Sequence, residues 1–433
     1  MELYKHNREH YEALMAMLET VQRACGIQPP GTGKSFIAFN IALEHPGESM
    51  LWMSPNEYIF SEQMKSFKRN CPGDDVSNIE QMTYAAAMAR AKDGRDLPCG
   101  FDWIVLDEFH HCLAPEWGKG VQAVLAANPD AKVVGLTATE IRYSDGGRDA
   151  SEELFGGNVA FRMGIQEAWF RGILPIPTYI TALYRSPSEL GELEVRVGDF
   201  DGDDDKKDEV NEAYQKLRRR VREAKGVGEV IAAHLGKPDA RLIVFCPNAV
   251  ELDEIAAKRA EWFGLVNRDI HAYKVHCGNP QGEVDYDAFR EDHSGALKVL
   301  FCIDQLNEGV HIEGVDGVVM VRATSSPTIF QQQLGRALDA GRSKNPLVFD
   351  LVNNVGSLGL DMFGSQAAAA FERLMEDDPG AVAFTPDDLR ICDEVKEIRE
   401  LAQLLQDVLR PEPLPPLDEM VAWLIEHPKE GAE

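Results

Sequence analysis

The sequence predicts an α/β protein built as two tandem parallel-sheet lobes with a short helical C-terminal appendage. Three observations carry that prediction. Strand-like and helix-like segments alternate from about residue 20 to 165, as a parallel sheet with crossover helices demands, and the alternation resumes from Arg241. Between Arg185 and Glu212 it fails, where Pro187, several glycines and the run Asp199 to Asp205 mark an exposed, like-charged insertion. The length of 433 residues exceeds what one hydrophobic core normally serves. These features divide the chain into a first lobe over 1–170, a linker with an acidic insertion and a basic helix over 171–230, a second lobe over 231–365 and a helical C-terminal region over 366–433.

The first lobe opens on Pro29-Pro30-Gly31-Thr32-Gly33-Lys34-Ser35. Glycines here let the backbone turn tightly so that N–H groups point at phosphates, and the following helix adds its positive N-terminal end. The apolar run Phe36 to Leu43 supplies that helix. Pro30, Gly31, Thr32, Gly33, Lys34 and Ser35 therefore form a candidate triphosphate cradle, with Lys34 on the β- and γ-phosphates and the Ser35 hydroxyl on magnesium. Gln28 stands where the usual motif begins with Gly or Ala, a departure that leaves the phosphate-wrapping part intact.

Met50 to Met53 and Phe101 to Leu106 read as strands, the second buried and rich in Trp, Ile, Val and Leu. The latter delivers Asp107-Glu108-Phe109-His110 at its carboxyl end, where parallel sheets bind ligands. Asp107 is placed to hold magnesium, and Glu108 to orient or deprotonate a water. Lys132 to Leu136 is the next strand, ahead of Thr137-Ala138-Thr139. In the second lobe the strands are Leu242 to Phe245, Lys298 to Ile303, Gly317 to Val321 and Leu347 to Val352. Gln332-Gln333-Leu334-Gly335-Arg336 would bring Gln332 and the Arg336 cation to the same phosphates, making a composite site between the lobes. Gln366 to Met375 and Asp393 to Leu409 read as amphipathic helices, followed by prolines from Pro411 to Pro416 that forbid a continuous helix.

In this order the motifs resemble the two-lobed RecA-like core of a superfamily-two helicase or translocase of the DEAD/DEAH kind, over about residues 1 to 365. The resemblance implies that Thr137, Ala138 and Thr139 couple ATP state to lobe position, together with Gly309 in Phe301 through Gly309. It implies that Ser54-Pro55, Thr83-Tyr84 and the segment from Leu242 through Cys246 to Asn248 correspond to the motifs that touch a nucleic-acid backbone. It also implies that an amide near His6-Asn7 reads the adenine edge. An amide has the paired donor and acceptor for that task, while a helix N-terminal turn explains Asn7 equally well. A closer resemblance is to bacterial DEAD/DEAH proteins with helicase-associated repeats, through Ile141-Arg142-Tyr143, Gly147-Arg148-Asp149 and Asn353-Asn354. Leu417-Asp418-Glu419-Met420 would then begin a repeat that is truncated here. Two positions depart from the family: Asp339 stands where a second arginine is common, so either Arg342 reaches in or hydrolysis is slow, and His311 stands where Asp is common.

Composition bounds the partners. The formal net charge is -28, which repels phosphate backbones at long range, so weak and salt-sensitive nucleic-acid binding is expected. DNA ranks ahead of RNA as the polymer, with the choice between them left open by the sequence. The stretch Lys216 to Arg222 gathers a basic face on one helix, either to grip a strand or to pair with the acidic run before it. The C-terminal helices serve core packing or a protein partner. Eight cysteines are scattered with no C-x-x-C pair, so no zinc site is assigned, and calcium is disfavoured at Asp201, Asp203, Asp205 and Glu212 because Lys206 replaces the required glycine. No apolar run approaches the ~20 residues that span a bilayer, and the segment Tyr4 to Glu12 is polar, so a cytoplasmic protein using ATP and Mg²⁺ is expected. Two functions remain open: an ATP-driven nucleic-acid motor, and a nucleotide-gated clamp or scaffold with poor turnover. A ring ATPase shares the first string but predicts a helical lid in place of a second sheet.

Overall fold

The computed structural model describes residues 1–142, 147–182, 196–198, 200, 204–223, 225–276, 279–303, 312, 314–324, 326–338, 345–352, 354, 364–394, 396–397, 400–401 and 404–405. Two compact units divide the chain. The first joins Met1–Ala182 to Val227–Cys392, and the second joins Leu183–Gly226 to Asp393–Glu433.

The first unit holds two sheets. In the first sheet, β1 (Arg23–Ile27), β2 (Met50–Ser54), β3 (Ile79–Thr83), β4 (Trp103–Asp107), β5 (Lys132–Thr137) and the later strand Val159–Arg162 lie in the order β3-β2-β4-β5-β1 followed by that later strand, and every pair is parallel. The two-stranded ribbon of β6 (Ile141–Arg142) and β7 (Arg148–Asp149) makes Val159–Arg162 strand β8. Strands β2 and β4 are buried along their whole length, which explains their unbroken apolar sequences: helices cover both faces of a parallel sheet. These are α1 (Lys5–Met17), α2 (Ser35–Glu44), α3 (Glu57–Asn70), α4 (Tyr84–Lys92) and α5 (Pro115–Ala127). Asn56 and Thr83 start α3 and α4 by accepting from Ile59 N and Ala86 N.

The second sheet contains β10 (Arg241–Phe245), β11 (Ile270–Val275), β12 (Leu297–Cys302), β13 (Gly317–Met320) and β14 (Leu347–Asp350), paired in parallel in the order β11-β12-β10-β13-β14. It continues into β9 (Thr178–Thr181), which pairs in parallel with β14, and then β15 (Arg390–Asp393). Strand β9 lies in the segment read as linker. Its four residues follow Pro175 and Pro177 and are too few to show a period, yet Tyr179 is buried and donates its hydroxyl to Asp350 Oδ2 at 2.5 Å. Ile165, Trp169, Leu174 and Ile176 already share a core with Ile243, Leu300 and Phe330 of the second sheet, so the chain joins that sheet's core ahead of residue 171.

In the second unit the predicted basic helix runs from Asp204 to Glu223, and its Val210, Tyr214 and Leu217 pack with Val197 and Leu405. Arg220 pairs with Glu397 and Lys225 with Glu394, each at 2.9 Å, so these acidic partners come from the C-terminal segment. Lys216, Arg218 and Arg219, with Glu212 and Gln215, line an open hollow of about 580 Å³. Leu417 to Met420, Asp201 and Asp203 lie outside the described residues. Among the described residues no helix is long and apolar enough to cross a membrane.

Candidate nucleotide site

The loop after β1 has the backbone its glycines foretell: Gly31 and Gly33 adopt φ of 83° and 78°, a region closed to most side chains. Helix α1 holds the outside of this loop. Asn7 Nδ2 donates to Thr32 O at 2.9 Å and to Gly33 O at 3.3 Å, while His6 Nε2 lies 2.8 Å from Thr32 O. Because C=O and N–H point oppositely across a trans peptide, drawing these carbonyls toward α1 turns the N–H groups of Gly33 and Lys34 the other way, toward a ligand. The Asn7 side chain, a candidate to face adenine, is thus bonded to the loop through its amide NH2, and its Oδ1 is buried without a partner among the described residues. Gln28 is fully buried, and its Oε1 lies 3.4 Å from Thr32 Oγ1, so the long side chain packs against the inside of the loop.

Strand β4 ends at Asp107, and Glu108 then takes φ 50° and ψ 52°. It is the one non-glycine residue with positive φ among the described residues. Such a conformation costs about 1 kcal/mol or more in a residue without special tolerance, and it persists because Glu108 N donates to Leu136 O at 2.8 Å and the side chain is fixed on both sides. Lys34 Nζ meets Glu108 Oε1 at 2.9 Å. Thr137 Oγ1 lies 3.2 Å from Glu108 Oε2 and 2.9 Å from His110 Nδ1, and it donates to Thr139 O at 2.8 Å. Ala138 N approaches Glu108 Oε2 at 3.4 Å. Six of the expected residues, Lys34, Glu108, His110, Thr137, Ala138 and Thr139, are therefore one connected network.

Burial alone would raise the Glu108 carboxyl, but the Lys34 ammonium and then His110 outweigh it and hold the group below the usual carboxylate range. Asp107 goes the other way, raised by burial and by the charge of Glu108 beside it. One anion and one poised acid in adjacent positions is an arrangement suited to activating water beside a cation.

Ser35 and Asp107 are joined by a residue that the sequence reading missed. Gln63 Nε2 donates to Ser35 Oγ at 2.8 Å and to Asp107 Oδ2 at 2.7 Å. Only its place on the second turn of the helix after β2 could have signalled it, and periodicity does not reveal which polar residue of an amphipathic helix turns inward. Among the described residues Asp107 Oδ1 and Gln63 Oε1 are buried acceptors with no donor in hydrogen-bond geometry, although the Trp52 side chain also favours the Asp107 anion. Uncommitted oxygens beside a P-loop hydroxyl fit a hydrated magnesium ion: Ser35 would hold it directly and Asp107 through its water shell.

The second sheet reaches this site through α13, with the intervening helices being α6 (Ala150–Phe155), α7 (Ile165–Phe170), α8 (Asp204–Glu223), α9 (Val227–His234), α10 (Ala249–Ala257), α11 (Arg259–Phe263) and α12 (Gly282–Glu291), and α13 itself spanning Pro327–Gly335. A Cβ placed on Gly335 would lie 2.5 Å from Pro30 Cβ, and one on Gly31 would lie 2.0 Å from Leu338 O. Arg336 sits between these two contacts in the chain, at the C-cap of α13. Gln332 is buried one turn earlier, its Nε2 without a hydrogen-bond partner among the described residues. A second contact between the lobes joins α3 to α12: Arg290 Nη1 meets Glu62 Oε2 at 3.1 Å, and the Tyr58 and Tyr286 rings stand edge to face at 6.2 Å. Gly309, His311, Asp339 and Arg342 lie outside the described residues.

The residues expected to touch a nucleic-acid backbone do not gather in the same way. Ser54 is buried and donates to Asn56 O at 2.9 Å, and Pro55 is buried beside it, so neither offers a surface. Ser54 ends β2, a strand enclosed on two faces, where its hydroxyl is consumed in the turn that starts the next helix, and Pro55 follows the strand. Thr83 caps α4, and exposed Asn248 caps α10 by accepting from Glu251 N at 3.0 Å. All stand at the carboxyl ends of parallel strands.

Residues 1–142 match the family described as type III restriction enzyme, res subunit, and residues 226–341 match the helicase conserved C-terminal domain. The fold resembles that of the ATP-dependent Type ISP restriction-modification enzyme LlaBIII bound to DNA, with a TM-score of 0.59 at 15% identity over 94% of this chain and 33% of that one. It also resembles the Escherichia coli DEAH/RHA helicase HrpB (TM-score 0.53, 15% identity, 81% of this chain and 43% of that one). A third is S. cerevisiae Dbp5 bound to RNA and ADP BeF3 (0.53, 12%, 94% of each). The chain thus spans a third of LlaBIII and under half of HrpB. No curated protein matches it.

Proposed function

This chain carries a superfamily-two helicase core, and from that premise we propose that it is an ATP-driven nucleic-acid translocase or helicase whose two sheets clasp one nucleotide between them. The observation that carries the reading is the contact of α13 with the P-loop, which brings the residues on either side of Arg336 onto Pro30 and Gly31.

In this reading the Gly31 to Ser35 loop binds the triphosphate through backbone N–H groups, and Lys34 exchanges Glu108 for the β- and γ-phosphates. Losing that ammonium raises the proton affinity of Glu108, which readies it to take a proton from the attacking water. Magnesium, when bound by Ser35 and Asp107, supplies neutralisation of phosphate charge. Gln332 and Arg336 stabilise charge on the transferred phosphoryl group from the second sheet. His110 and Thr137 carry the state of Glu108 to Thr139, and thus to the segment that follows β5.

DNA is the proposed polymer, supported by the match of the first lobe to a restriction-enzyme family. With a net charge of -28, binding is weak and falls steeply with salt. The test is ATP turnover across single- and double-stranded DNA and RNA at low and moderate salt. Strong stimulation by DNA is expected. ATP binding without stimulation by any polymer would favour a nucleotide-gated clamp and overturn the motor.

A further inference from the structure

We propose that Gln63 holds the place of the divalent cation in the nucleotide-free protein, so that its amide must withdraw from Ser35 and Asp107 before metal binds. The proposal rests on the reading of Ser35 and Asp107 as the metal-facing pair. One nitrogen serves both groups, at 2.8 Å from Ser35 Oγ and 2.7 Å from Asp107 Oδ2. An amide NH2 has two hydrogens to give, one for each oxygen, so these two bonds saturate it. The two oxygens therefore converge on a single point now filled by a partial positive charge.

A magnesium ion approaches its oxygen ligands to about 2.0–2.1 Å. Ser35 Oγ has two acceptor lone pairs, so valence alone does not exclude the ion; the point on which Ser35 Oγ and Asp107 Oδ2 converge is already taken by the Gln63 NH2. The amide and the cation compete. What the amide leaves undone is also visible: among the described residues Asp107, 1% exposed, keeps Oδ1 without a donor in hydrogen-bond geometry, as does Gln63 Oε1, although the Trp52 side chain also favours the Asp107 anion. A buried carboxylate beside Glu108 needs more positive charge than one neutral amide provides, which makes Gln63 a provisional occupant.

The same helix limits how Gln63 can leave. Glu62, its neighbour in α3, is paired with Arg290, and Tyr58 is seated against Tyr286. A shift of the whole helix would break both contacts with the second sheet's side. Rotation of the Gln63 side chain breaks neither, and a half-buried glutamine with three rotatable bonds can make it.

The experiment uses the full chain with saturating mant-ADP, titrated with Mn²⁺ and followed by the electron paramagnetic resonance of free Mn²⁺. Gln63→Met keeps length and removes the donor, and its half-saturating Mn²⁺ concentration is expected to fall about tenfold, the worth of one hydrogen bond to a charged group. Its mant-ADP affinity in EDTA should match that of the parent, which a general structural defect would not allow. Gln63→Glu replaces the donor by an anion, so its melting temperature should drop in EDTA and recover with Mn²⁺ by more than the parent gains. An Mn²⁺ midpoint that is unchanged or raised in Gln63→Met, or a Gln63→Glu variant with no metal-dependent recovery, overturns the assignment of Gln63 while leaving the nucleotide site standing. Failure of the parent protein to bind mant-ADP would instead remove the nucleotide site and this proposal with it.

Discussion

Substituting Gly335 by alanine separates the two lobes' contact from the stability of either lobe. Gly335 ends α13 with no side chain, and an added methyl would stand 2.5 Å from Pro30 Cβ and 3.0 Å from Pro30 Cγ. Carbon atoms rest at about 3.5–4.0 Å, so the overlap is on the order of 1 Å. The proline ring cannot rotate out of the way because it closes on the backbone of the P-loop. Alanine within a helix is otherwise favoured over glycine by up to about 1 kcal/mol, so the second sheet should not be weakened. Overpacking of this size costs roughly 1–3 kcal/mol, which lowers the population of the clasped state by about 5- to 150-fold. The assay pairs polymer-stimulated ATP turnover with mant-ATP binding and thermal melting. Turnover should fall by that factor, while nucleotide affinity and melting stay near the parent's because the loop proposed to bind phosphate is on the first sheet. Parent-like turnover in Gly335→Ala would refute the claim that α13 must seat on the P-loop for catalysis.

Asn7→Ala removes two bonds to the P-loop carbonyls, each worth about 1 kcal/mol, and should weaken ATP and GTP binding alike by about tenfold or more; a loss confined to ATP would restore the adenine-reading role and defeat the loop-buttress role. Glu108→Gln should abolish turnover with ATP binding still measurable by mant-ATP fluorescence, and unchanged hydrolysis would remove Glu108 from water activation. Arg336→Ala should lower turnover by about a thousandfold, with little effect on ADP affinity, and a parent-like rate would exclude a role at the γ-phosphate. His10 is buried against Phe161, and burial depresses its pKa to about 3, below the ordinary histidine value of 6.5. The unfolded chain then binds the extra proton, so this contribution to stability is fully present above pH 6.5 and is lost as pH falls toward 3, by at most about 1.4 kcal/mol per unit. Denaturant melts of the parent and His10→Asn across that window should diverge in slope, and parallel curves would deny the effect.

The parts of the site legible in the sequence share one property: each is encoded by residues next to one another. Glycines at 31 and 33 announce a turn with positive φ, and the run from Trp103 to Asp107 announces a strand enclosed on both faces, with the acidic pair delivered at its end. Local sterics and burial period decide such features, so reading along the chain finds them. Strand β9 escaped because four residues after two prolines carry no period. A strand's end does not disclose whether its last side chain turns to solvent or to the next turn, and Ser54 turns to Asn56 O.

The order of the phosphate loop, the acidic pair and the distal arginine, and the two-sheet plan that contains them, belonged to the sequence by itself, because adjacent residues set each of these through short-range forces. Packing alone settled that Asn7 steadies the loop, that Glu108 bends into a left-handed backbone, that Gln63 joins Ser35 to Asp107, and that Gly335 lies on Pro30. Those pairings span from tens to hundreds of residues, and no local period specifies a partner that becomes a neighbour only when helices and sheets close upon one another.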